Sequence, residues 1–342
     1  MVYRVAINGF GRVGRNVFKV IEKGGYSNLF EVVAVNGRSS PASLAHRLKF
    51  DSTYGRYDAE ITSDADAITV NGRRLQVLSE REPASLPWSD LNVDLVIEST
   101  GQFTDADEAR GHIAAGAKKV IITAPATGED ITVVLGVNET AYDAGAHDII
   151  SNASCTTNCL APVAKVLLDE FGIRRALVTT VHSYTADQVL VDGSHEDFRR
   201  ARGGAQNIIP TSTGAASAVG LVLPELQGKF DGFALRVPTP TVSIIDLVAE
   251  TERPATVASV NDAFKAAAAS DEMRTILAYS DEELVSSDYR GDSRSAIVDG
   301  QSTMISGDTL VKVVAWYDNE WGYSSRVADL TALVCAIGFS NG

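Results

Sequence analysis

The sequence predicts an α/β protein with an N-terminal doubly wound sheet and a C-terminal α+β domain that contains a mostly antiparallel sheet. Its 342 residues and 45% hydrophobic content are enough for two ordinary domains. Short apolar strands alternate with helices in the first part, whereas longer strands with few helices follow. We therefore place the domains at 1–153 and 154–321, and expect a terminal helix within 322–342 to complete the first domain.

The first domain opens with a glycine-rich loop typical of Rossmann-type dinucleotide-binding sheets. A strand at 2–7 leads into Asn8-Gly9-Phe10-Gly11-Arg12-Val13-Gly14, and an amphipathic helix covers 16–23. Glycines at this spacing let backbone amides approach a pyrophosphate, which then lies at the helix N-terminus. A second strand at 31–36 follows where a βαβ unit needs it, so the sequence predicts a dinucleotide site.

The end of that second strand lacks the acidic residue typical of NAD-specific sites. A carboxylate there binds the ribose 2′-hydroxyl and repels a 2′-phosphate. This chain has Asn36-Gly37-Arg38-Ser39-Ser40 instead, with one cation and two hydroxyls. On this segment alone, a solvated turn explains the residues as well as a 2′-phosphate site does.

The alternation of strand and helix continues to the end of the first domain. Strands are predicted at 93–98, 119–123 and 131–135, with a helix near 105–115. Doubly wound sheets bind ligands at the C-terminal ends of their strands. We therefore add to the candidate cofactor site three residues at such ends, Ser99, Thr100 and Thr123.

The segment 151–159 carries two cysteines at the start of a predicted helix. Apolar residues recur at helical spacing up to Phe171 and Gly172 closes the helix, so Ser154 is the expected N-cap and Cys155 lies in the first turn. The positive end of the helix dipole lowers the pKa of a thiol there. An inert buried thiol is the usual alternative, which we accept for Cys159. Hydroxyls and an amide around Cys155 favour a nucleophile instead.

The second domain is predicted from its longer strands. These strands lie at 176–184, 232–238, 241–248 and 310–316. Helices are expected at 256–269, 271–277 and 322–337, and the sheet should pack against the Cys155 helix. The polar segment 184–206 is a long loop, and such loops in compact domains are usually functional.

Composition excludes several classes of function. A net charge of −14 argues against a nucleic-acid-binding surface, and favours either simple solubility or a cell with high internal salt. No apolar run reaches membrane-spanning length, and a strand begins at once with no signal peptide. Three cysteines form no disulfide framework, and no cluster of Cys and His completes a metal site. We expect a cytoplasmic protein without a metal or a membrane partner.

Seven short segments, in order along nearly the whole chain, resemble one family. They are INGFGRVGR at 7–15, SNASCTTN at 151–158, HSYTADQ at 182–188, RRAR at 199–202, PTSTGAA at 210–216, RVPT at 236–239 and WYDNEWGY at 316–323. The family they resemble is phosphorylating glyceraldehyde-3-phosphate dehydrogenase. Each segment alone could arise by chance, but their order over the chain makes the resemblance specific.

The resemblance implies a reaction of glycolysis and gluconeogenesis. Cys155 attacks the aldehyde to give a hemithioacetal, and His182 takes the hydroxyl proton as a hydride leaves for the nicotinamide. Inorganic phosphate then opens the thioester to an acyl phosphate. From the residues alone, His182 ends an apolar strand, where a core or capping role is more common; as a partner of Cys155 it would hold the thiolate as an ion pair.

The same resemblance implies the binding residues. For the substrate's phosphate they are Thr185, Asp187 and Arg236, and for the attacking phosphate Ser154, Thr156, Arg200, Thr213 and Gly214. Hydroxyls, amides and guanidinium groups are good phosphate ligands. Together with the loop, strand-end and departing positions, the candidate cofactor residues are Asn8, Gly9, Phe10, Gly11, Arg12, Val13, Gly37, Arg38, Ser39, Ser99, Thr100, Thr123, Ser194, Asn319 and Tyr323, of which the resemblance supplies the last two. Asn319 is expected to hold the nicotinamide carboxamide, with Tyr323 beside it.

Three departures from the family pattern point to NADP, with NAD or dual use as the alternative. Many NAD-specific members have Asp where this chain has Gly37, and Leu-Pro where it has Gly193-Ser194. The loop changes remove bulk and place a hydroxyl near the adenosine ribose of a neighbouring subunit. The resemblance accordingly implies a homotetramer.

Two other functions stay open at this stage. An erythrose-4-phosphate dehydrogenase would share the thiol, the histidine and the cofactor fold, but its loop after the histidine usually lacks the Ser183-Tyr184-Thr185 run. A catalytically inactive homologue that binds nucleotides or RNA would not need Cys155 and His182, nor would it suit so acidic a chain.

Overall fold

The computed structural model of the chain describes residues 2–339. Met1 and residues 340–342, which the predicted domains include, lie outside the described residues. By contacts within the chain, one unit contains residues 2–133, 140–153 and 324–339, and the other contains 134–139 and 154–323. That the chain folds as separate domains at the predicted boundaries stays a prediction.

A nine-stranded sheet forms the first unit. Its elements are β1 (Tyr3–Asn8), α1 (Arg12–Gly24), β2 (Phe30–Asn36), α2 (Pro41–Lys49), β3 (Phe50–Asp51), β4 (Gly55–Arg56), β5 (Ile61–Ser63), β6 (Ala67–Val70), β7 (Arg73–Leu78), β8 (Leu95–Glu98), α3 (Ala106–Ala109), α4 (Gly111–Ala114), β9 (Lys119–Ile122), β10 (Ile131–Thr132) and β11 (Ile149–Ser151). The strand order is β10-β11-β9-β8-β1-β2-β7-β6-β5, and β3 pairs with β4 apart from it.

The predicted doubly wound sheet is confirmed. Every neighbouring pair from β10 to β7 is parallel, and only the edge pairs of β7, β6 and β5 are antiparallel. The chain passes from β1 to β2 on one side and returns to the other side of β1 at β8. A reversal of this kind opens a ligand crevice at the C-terminal ends of the strands.

Three predicted elements of this unit differ in the structure. Helix α1 begins four residues earlier than expected, directly after Gly11. The helix expected near 105–115 is two single turns that meet at Arg110, where Gly111 lets the backbone approach Pro83. Strand β10 stops at Thr132, because the Val134 amide donates to the Asn138 side chain and turns the chain away.

The second unit contains an eight-stranded sheet. Its elements are α5 (Cys155–Phe171), β12 (Ile173–Ser183), β13 (Ile209–Ser212), α6 (Ala215–Val222), β14 (Phe230–Val237), β15 (Ser243–Thr251), α7 (Val257–Ala269), β16 (Leu277–Ser280), β17 (Ala296–Asp299), β18 (Met304–Ser306) and β19 (Leu310–Tyr317). The strand order is β13-β14-β12-β15-β19-β17-β16, with β18 on β19. The last helix, α8 (Trp321–Ile337), begins here and belongs to the first unit from Ser324 onward.

The sheet is mostly antiparallel, as predicted, with two parallel pairs. Strands β12 and β14 run parallel because the long connection through β13 and α6 carries the chain back to its starting edge. β16 and β17 are also parallel. The helix predicted at 271–277 is wrong: the Ser270 hydroxyl accepts from the Met273 amide in a turn, and β16 follows at Leu277.

Helix α5 is held in the core of this unit by its apolar residues. Leu160, Val163 and Leu167 are fully buried in the cluster that also includes residues of the sheet. Burying a side chain of this size contributes about 1.5–3 kcal/mol each. The first turn of α5 is thereby held in a fixed position.

Within residues 2–339, no helix has the length and apolar character that crossing a membrane requires.

Candidate active site

A strained turn delivers the chain into helix α5. Ala153 has φ +54°, a left-handed conformation that costs an L residue on the order of 1–3 kcal/mol. Ser154 is the N-cap, as predicted, and its hydroxyl accepts from the Thr157 amide at 3.0 Å. Cys155 is the first helical residue and half-buried, and Gly172 ends the helix with φ +68°. The local sequence therefore fixes where the thiol is presented.

The thiol of Cys155 faces His182 at the end of β12. Its Sγ atom lies 3.4 Å from Nε2 of His182, which is 4% exposed. The other ring nitrogen, Nδ1, lies 2.7 Å from the backbone oxygen of Ser183. A carbonyl only accepts, so we assign the proton to Nδ1 and the lone pair to Nε2. The imidazole thus presents a base to the sulfur.

Arg236 lies beside His182 because of strand register. The two residues pair directly across the parallel strands β12 and β14. Nη1 of Arg236 lies 3.0 Å from His182 Nδ1 and donates to the Ser183 oxygen at 3.2 Å and the Thr185 hydroxyl at 2.8 Å. Its Nε atom is buried and has no partner among the described residues. A buried donor of this kind suits an anionic ligand.

The electrostatics of the pair differ from the sequence expectation. Burial raises the pKa of the Cys155 thiol, although the Arg236 guanidinium and hydrogen bonds from Thr156 lower it. Burial and then the charge of Arg236 lower the pKa of His182 to about 3. The predicted lowering of the thiol pKa is not found, because burial outweighs the lowering by Arg236 and by the hydrogen bonds. Burial thus favours the neutral forms of both side chains.

The residues predicted for the substrate's phosphate are brought together. The Thr185 hydroxyl accepts from Arg236 and donates to Asp187. Asp187 also accepts from Nη1 of Arg200 at 2.8 Å, and Nε of Arg200 donates to the Thr211 hydroxyl at 2.7 Å. Burial opposes ionisation of Asp187, but Thr185 and the two guanidinium groups hold its pKa below the usual range. Arg200, predicted for the other phosphate, belongs to this same chain of hydrogen bonds.

The remaining phosphate candidates lie at two helix N-termini. Ser154 caps α5, and Thr213 and Gly214 precede α6, where Gly214 is an N-cap with no side-chain hydrogen bond. Amides at such an end are suited to an anion. The Thr156 hydroxyl already has partners within the protein, since it lies 2.9 Å from the buried Tyr317 hydroxyl. Thr156 is therefore engaged in the core through its side chain.

Asn319 has its amide orientation fixed by two hydroxyls. Its Oδ1 atom accepts from Ser183 and from Ser243, each at 2.9 Å. With the oxygen engaged, the amide NH₂ is left as a donor group. Asn319 and Tyr323 are each 6% exposed.

A pocket of the first unit lies along the C-terminal ends of its strands. It is lined by Asn8, Gly9, Phe10, Gly11, Asn36, Gly37, Arg38, Ser39, Leu44, Arg47, Glu80, Arg81, Ser99, Thr100, Gln102 and Phe103. Nine of the candidate cofactor residues are among these. A Cβ on Gly9, which has φ +93°, would lie 2.5 Å from the Thr100 amide, and one on Gly14 would lie 2.2 Å from the Gly9 oxygen. Only glycines fit this close turn.

The chemistry of this pocket fits a dinucleotide. Gly11 caps α1 and has no side chain to occupy the helix N-terminus. Its amides can accept a pyrophosphate there. At the end of β2, a Cβ on Gly37 would meet only carbons of Leu44 and Phe10, at 3.8 Å or more. Arg38 is exposed and donates to the Gln102 side chain at 3.3 Å.

Sequence reasoning missed two further cations of the pocket, Arg47 and Arg81. Nη2 of Arg47 donates to the Ser39 hydroxyl at 2.7 Å. Both lie on elements that were not predicted: α2 has a weak apolar pattern, and Arg81 follows β7. The N-cap of α2 is Ser40, whose hydroxyl accepts from the Ser43 amide. A serine at this position is a common N-cap, so Ser40 could have predicted the start of the helix.

A buried carboxylate supports the strand ends beneath the pocket. Glu98 is 2% exposed. Its carboxylate accepts hydrogen bonds from the Asn8 side chain and from both the amide and the hydroxyl of Thr100. It also lies 3.0 Å from His112 Nε2. The Trp88 indole donates to His112 Nδ1, which leaves the Nε2 proton for Glu98. Asn8 and Thr100 are thereby held in place. No motif identified Glu98 or His112.

Three candidate cofactor residues of this unit do not line the pocket: Arg12, Val13 and Thr123. Arg12 donates to Asp51 at 2.8 Å; burial opposes ionisation of Asp51, but Arg12 and two amides lower its pKa to about 2. The Thr123 hydroxyl donates to the Glu98 backbone oxygen. In the second unit, Ser194 is exposed within the predicted long loop.

Among residues 2–339, no group of His, Cys, Asp and Glu could hold a metal ion.

Comparison with known proteins identifies the family. A model of the glyceraldehyde 3-phosphate dehydrogenase NAD binding domain matches residues 3–106, and one of the C-terminal domain matches residues 154–319. Glyceraldehyde-3-phosphate dehydrogenase of Priestia megaterium is 55% identical over 338 residues, which are 99% of this chain and 100% of that protein. The chain belongs to the glyceraldehyde-3-phosphate dehydrogenase family.

Other relatives in the glyceraldehyde-3-phosphate dehydrogenase family are as similar. Proteins of that name from Geobacillus stearothermophilus and Mycobacterium avium are 56% and 58% identical, over 99% and 98% of this chain and 100% and 99% of theirs. The family resemblance read from the seven sequence segments is confirmed. The pocket of the first unit lies within the match to the family's NAD binding domain.

Proposed function

We propose that the protein catalyses the phosphorylating oxidation of D-glyceraldehyde 3-phosphate to 1,3-bisphosphoglycerate, and the reverse, in glycolysis and gluconeogenesis. The observation that carries the proposal is the 3.4 Å distance between Cys155 Sγ and His182 Nε2. A thiol within reach of an oriented base is the arrangement that thioester chemistry requires. Family membership supplies the substrate class.

The facing thiol and imidazole support the following sequence of proton transfers by the chain's own groups. His182 Nε2 takes the thiol proton as the sulfur of Cys155 bonds to the aldehyde carbon, and it returns that proton to the carbonyl oxygen. In the oxidation, the same nitrogen takes the proton of the hemithioacetal hydroxyl. When a phosphate oxygen bonds to the thioester carbon, the sulfur leaves with its electron pair and recovers a proton from His182.

The cofactor is proposed to be bound by the glycine-rich loop and the strand ends around it. Nicotinamide, when bound, supplies the hydride acceptor. The Gly9 turn and the start of α1 would hold the pyrophosphate, with Ser99, Thr100 and Thr123 at the strand ends. Asn319, with its oxygen engaged, would donate its amide protons to the carboxamide, and Tyr323 would pack beside it.

We further propose that the cofactor is NADP, with dual use as the alternative. The pocket has no carboxylate at Gly37, and Arg38 and Ser39 line it. A 2′-phosphate therefore meets no carboxylate at position 37, and three arginines line the pocket against one carboxylate, Glu80. Ser194 would add a hydroxyl from a neighbouring subunit.

The two phosphates are proposed to bind around Arg236 and the helix ends. The unpartnered Nε of Arg236, with Thr185 and Asp187, supports the substrate's phosphate site. Ser154, Thr156, Arg200, Thr213 and Gly214 remain proposed for the attacking phosphate, with the Thr156 contact made through its backbone.

A homotetramer in the cytoplasm is proposed as the working form. Three large apolar side chains of the 184–206 loop are exposed: Leu190 by 77%, Val191 by 69% and Phe198 by 87%. Apolar side chains that a neighbouring subunit covers in an oligomer are exposed in this way when one chain is considered alone. The three cysteines are free thiols, which suits a reducing compartment.

The direct test is kinetic, with purified protein, phosphate and either cofactor. We expect phosphate-dependent cofactor reduction with glyceraldehyde 3-phosphate, at a kcat/KM at least about tenfold above that for erythrose 4-phosphate, a difference of about 1.4 kcal/mol in transition-state binding. A preference for erythrose 4-phosphate would transfer the function to that substrate. Cofactor binding without turnover of either aldehyde would identify an inactive nucleotide-binding homologue.

A further inference from the structure

Three arginine side chains line the pocket of the first unit around the end of β2: Arg38, Arg47 and Arg81. The two at positions 38 and 81 are exposed. Arg47 is half-buried on α2 and faces the same pocket from the next element of the chain. The three cations are not equivalent in how firmly they are held.

Arg47 is fixed at two points. Its Nη2 atom donates to the Ser39 hydroxyl at 2.7 Å, and its Nε atom donates to the Ser43 backbone oxygen at 3.4 Å. Both contacts are to neutral oxygens. Glu80 lines the same pocket, but among the described residues Arg47 forms no ion pair with it or with another carboxylate. Nη1 makes no hydrogen bond within that part of the chain. Arg47 therefore presents free N–H groups and an uncompensated charge from a fixed position.

The Ser39 hydroxyl completes a two-residue anion site. Because its oxygen accepts from Arg47, its own proton remains available to a second acceptor. Arg38, in contrast, is exposed, and its one hydrogen bond among the described residues is the 3.3 Å bond to Gln102. A preorganised cation binds an anion with less loss of side-chain entropy than a mobile one. Gly37 adds no side chain to the approach, where a Cβ would make only van der Waals contacts with Leu44 and Phe10.

We propose that Arg47, held by Ser39, is the residue that selects the 2′-phosphate of NADP, ahead of Arg38. This inference rests on the proposed use of NADP. The guanidinium would bind two oxygens of the 2′-phosphate through Nη1 and Nη2, and the Ser39 hydroxyl would donate to a third. Cofactors without the 2′-phosphate make none of these contacts.

The test is binding of adenine nucleotide fragments to the whole protein by calorimetry, without turnover. The probes are 2′,5′-ADP, which carries the 2′-phosphate, and 5′-AMP, which lacks it. We expect wild type to prefer 2′,5′-ADP by about tenfold or more, the scale of one charge-assisted hydrogen bond. Arg47→Leu should remove most of that preference and leave 5′-AMP affinity within about twofold. Arg38→Leu is the matched variant, and should reduce the preference by less than about threefold.

Several results would overturn the inference. These are an Arg47→Leu variant that keeps the wild-type preference, one that weakens both probes equally, or a larger effect from Arg38→Leu. Arg47→Gln repeats the test with a polar side chain if the leucine variant unfolds, and the melting temperature of each variant checks its fold. A wild type that binds both probes equally would remove NADP selection and this inference together. Aldehyde oxidation with NAD would still support the proposed reaction in that case.

Discussion

His182 and Arg236 face each other across two parallel strands, with Arg236 Nη1 3.0 Å from His182 Nδ1. The guanidinium adds to burial in lowering the pKa of the imidazole to about 3. An anion on Arg236 would offset that charge. Binding of phosphate at Arg236, as proposed, would therefore raise the basicity of His182.

The first prediction concerns this linkage. Replacing Arg236 with Leu removes a positive charge next to His182, so the imidazole pKa should rise from about 3 towards its ordinary value. Nuclear magnetic resonance titration of the histidines measures it, with His182→Gln to assign the signal. Arg175→Leu, an exposed arginine paired with Glu250, is the matched control. An unchanged His182 midpoint in the Arg236 variant would show that its charge is not felt at the ring.

A second prediction concerns His182 as the base. His182→Gln should lower kcat by about 10²–10⁴-fold, the usual contribution of a positioned acid–base group, because it removes the basic nitrogen that lies 3.4 Å from the thiol. Cofactor affinity, measured by calorimetry, should stay within about twofold. His147→Gln, outside the site, serves as the control. Near-normal turnover in the His182 variant would rule out the assigned role.

A third prediction concerns Gly37 and the choice of cofactor. Gly37→Asp should lower kcat/KM for NADP and raise it for NAD, because a carboxylate there repels the 2′-phosphate and binds the free 2′-hydroxyl. The added Cβ meets only carbons at 3.8 Å or more, so little strain is expected. Gly37→Asn has the same shape without the charge and should shift the ratio less. A wild type that strongly prefers NAD would contradict the interpretation of this position.

A fourth prediction follows from the net charge of −14. Molar salt shortens the Debye length to ~3 Å and weakens repulsion between surface carboxylates. The melting temperature should therefore rise between low salt and 1 M potassium chloride. Sucrose at matched osmolality controls for general solute effects. A melting temperature indifferent to potassium chloride would identify an ordinary acidic protein.

Local signals in the sequence were sufficient for the elements that carry the chemistry. The glycine spacing after β1 and the serine before α5 act on backbone groups only a few residues away. Such short-range effects can be predicted from the sequence alone. The placement of Ser154 as N-cap and of Gly172 at the helix end was correct to the residue. The predicted strands of the second unit were correct to within a few residues.

What the sequence could not give depends on distant parts of the chain. Arg236 reaches His182 through the register of two strands joined by a long connection, and parallel pairing there was not predicted. Arg47 lies on a helix whose apolar pattern is weak, so its place in the pocket depends on tertiary packing. The direction of the Cys155 pKa was misjudged because burial, unlike a helix N-terminus, has no local signature.

The central proposal is a thioester on Cys155, and trapping it is the most direct test. The protein is mixed with glyceraldehyde 3-phosphate and oxidised cofactor in the absence of phosphate, then analysed by peptide mass spectrometry. We expect one burst equivalent of reduced cofactor per active site and an acyl group on the Cys155 peptide, which inorganic phosphate releases as an acyl phosphate. Cys155→Ala should give neither, whereas Cys335→Ala should give both. Cofactor reduction with no acyl group on Cys155, or an acyl group on another residue, would contradict the proposal.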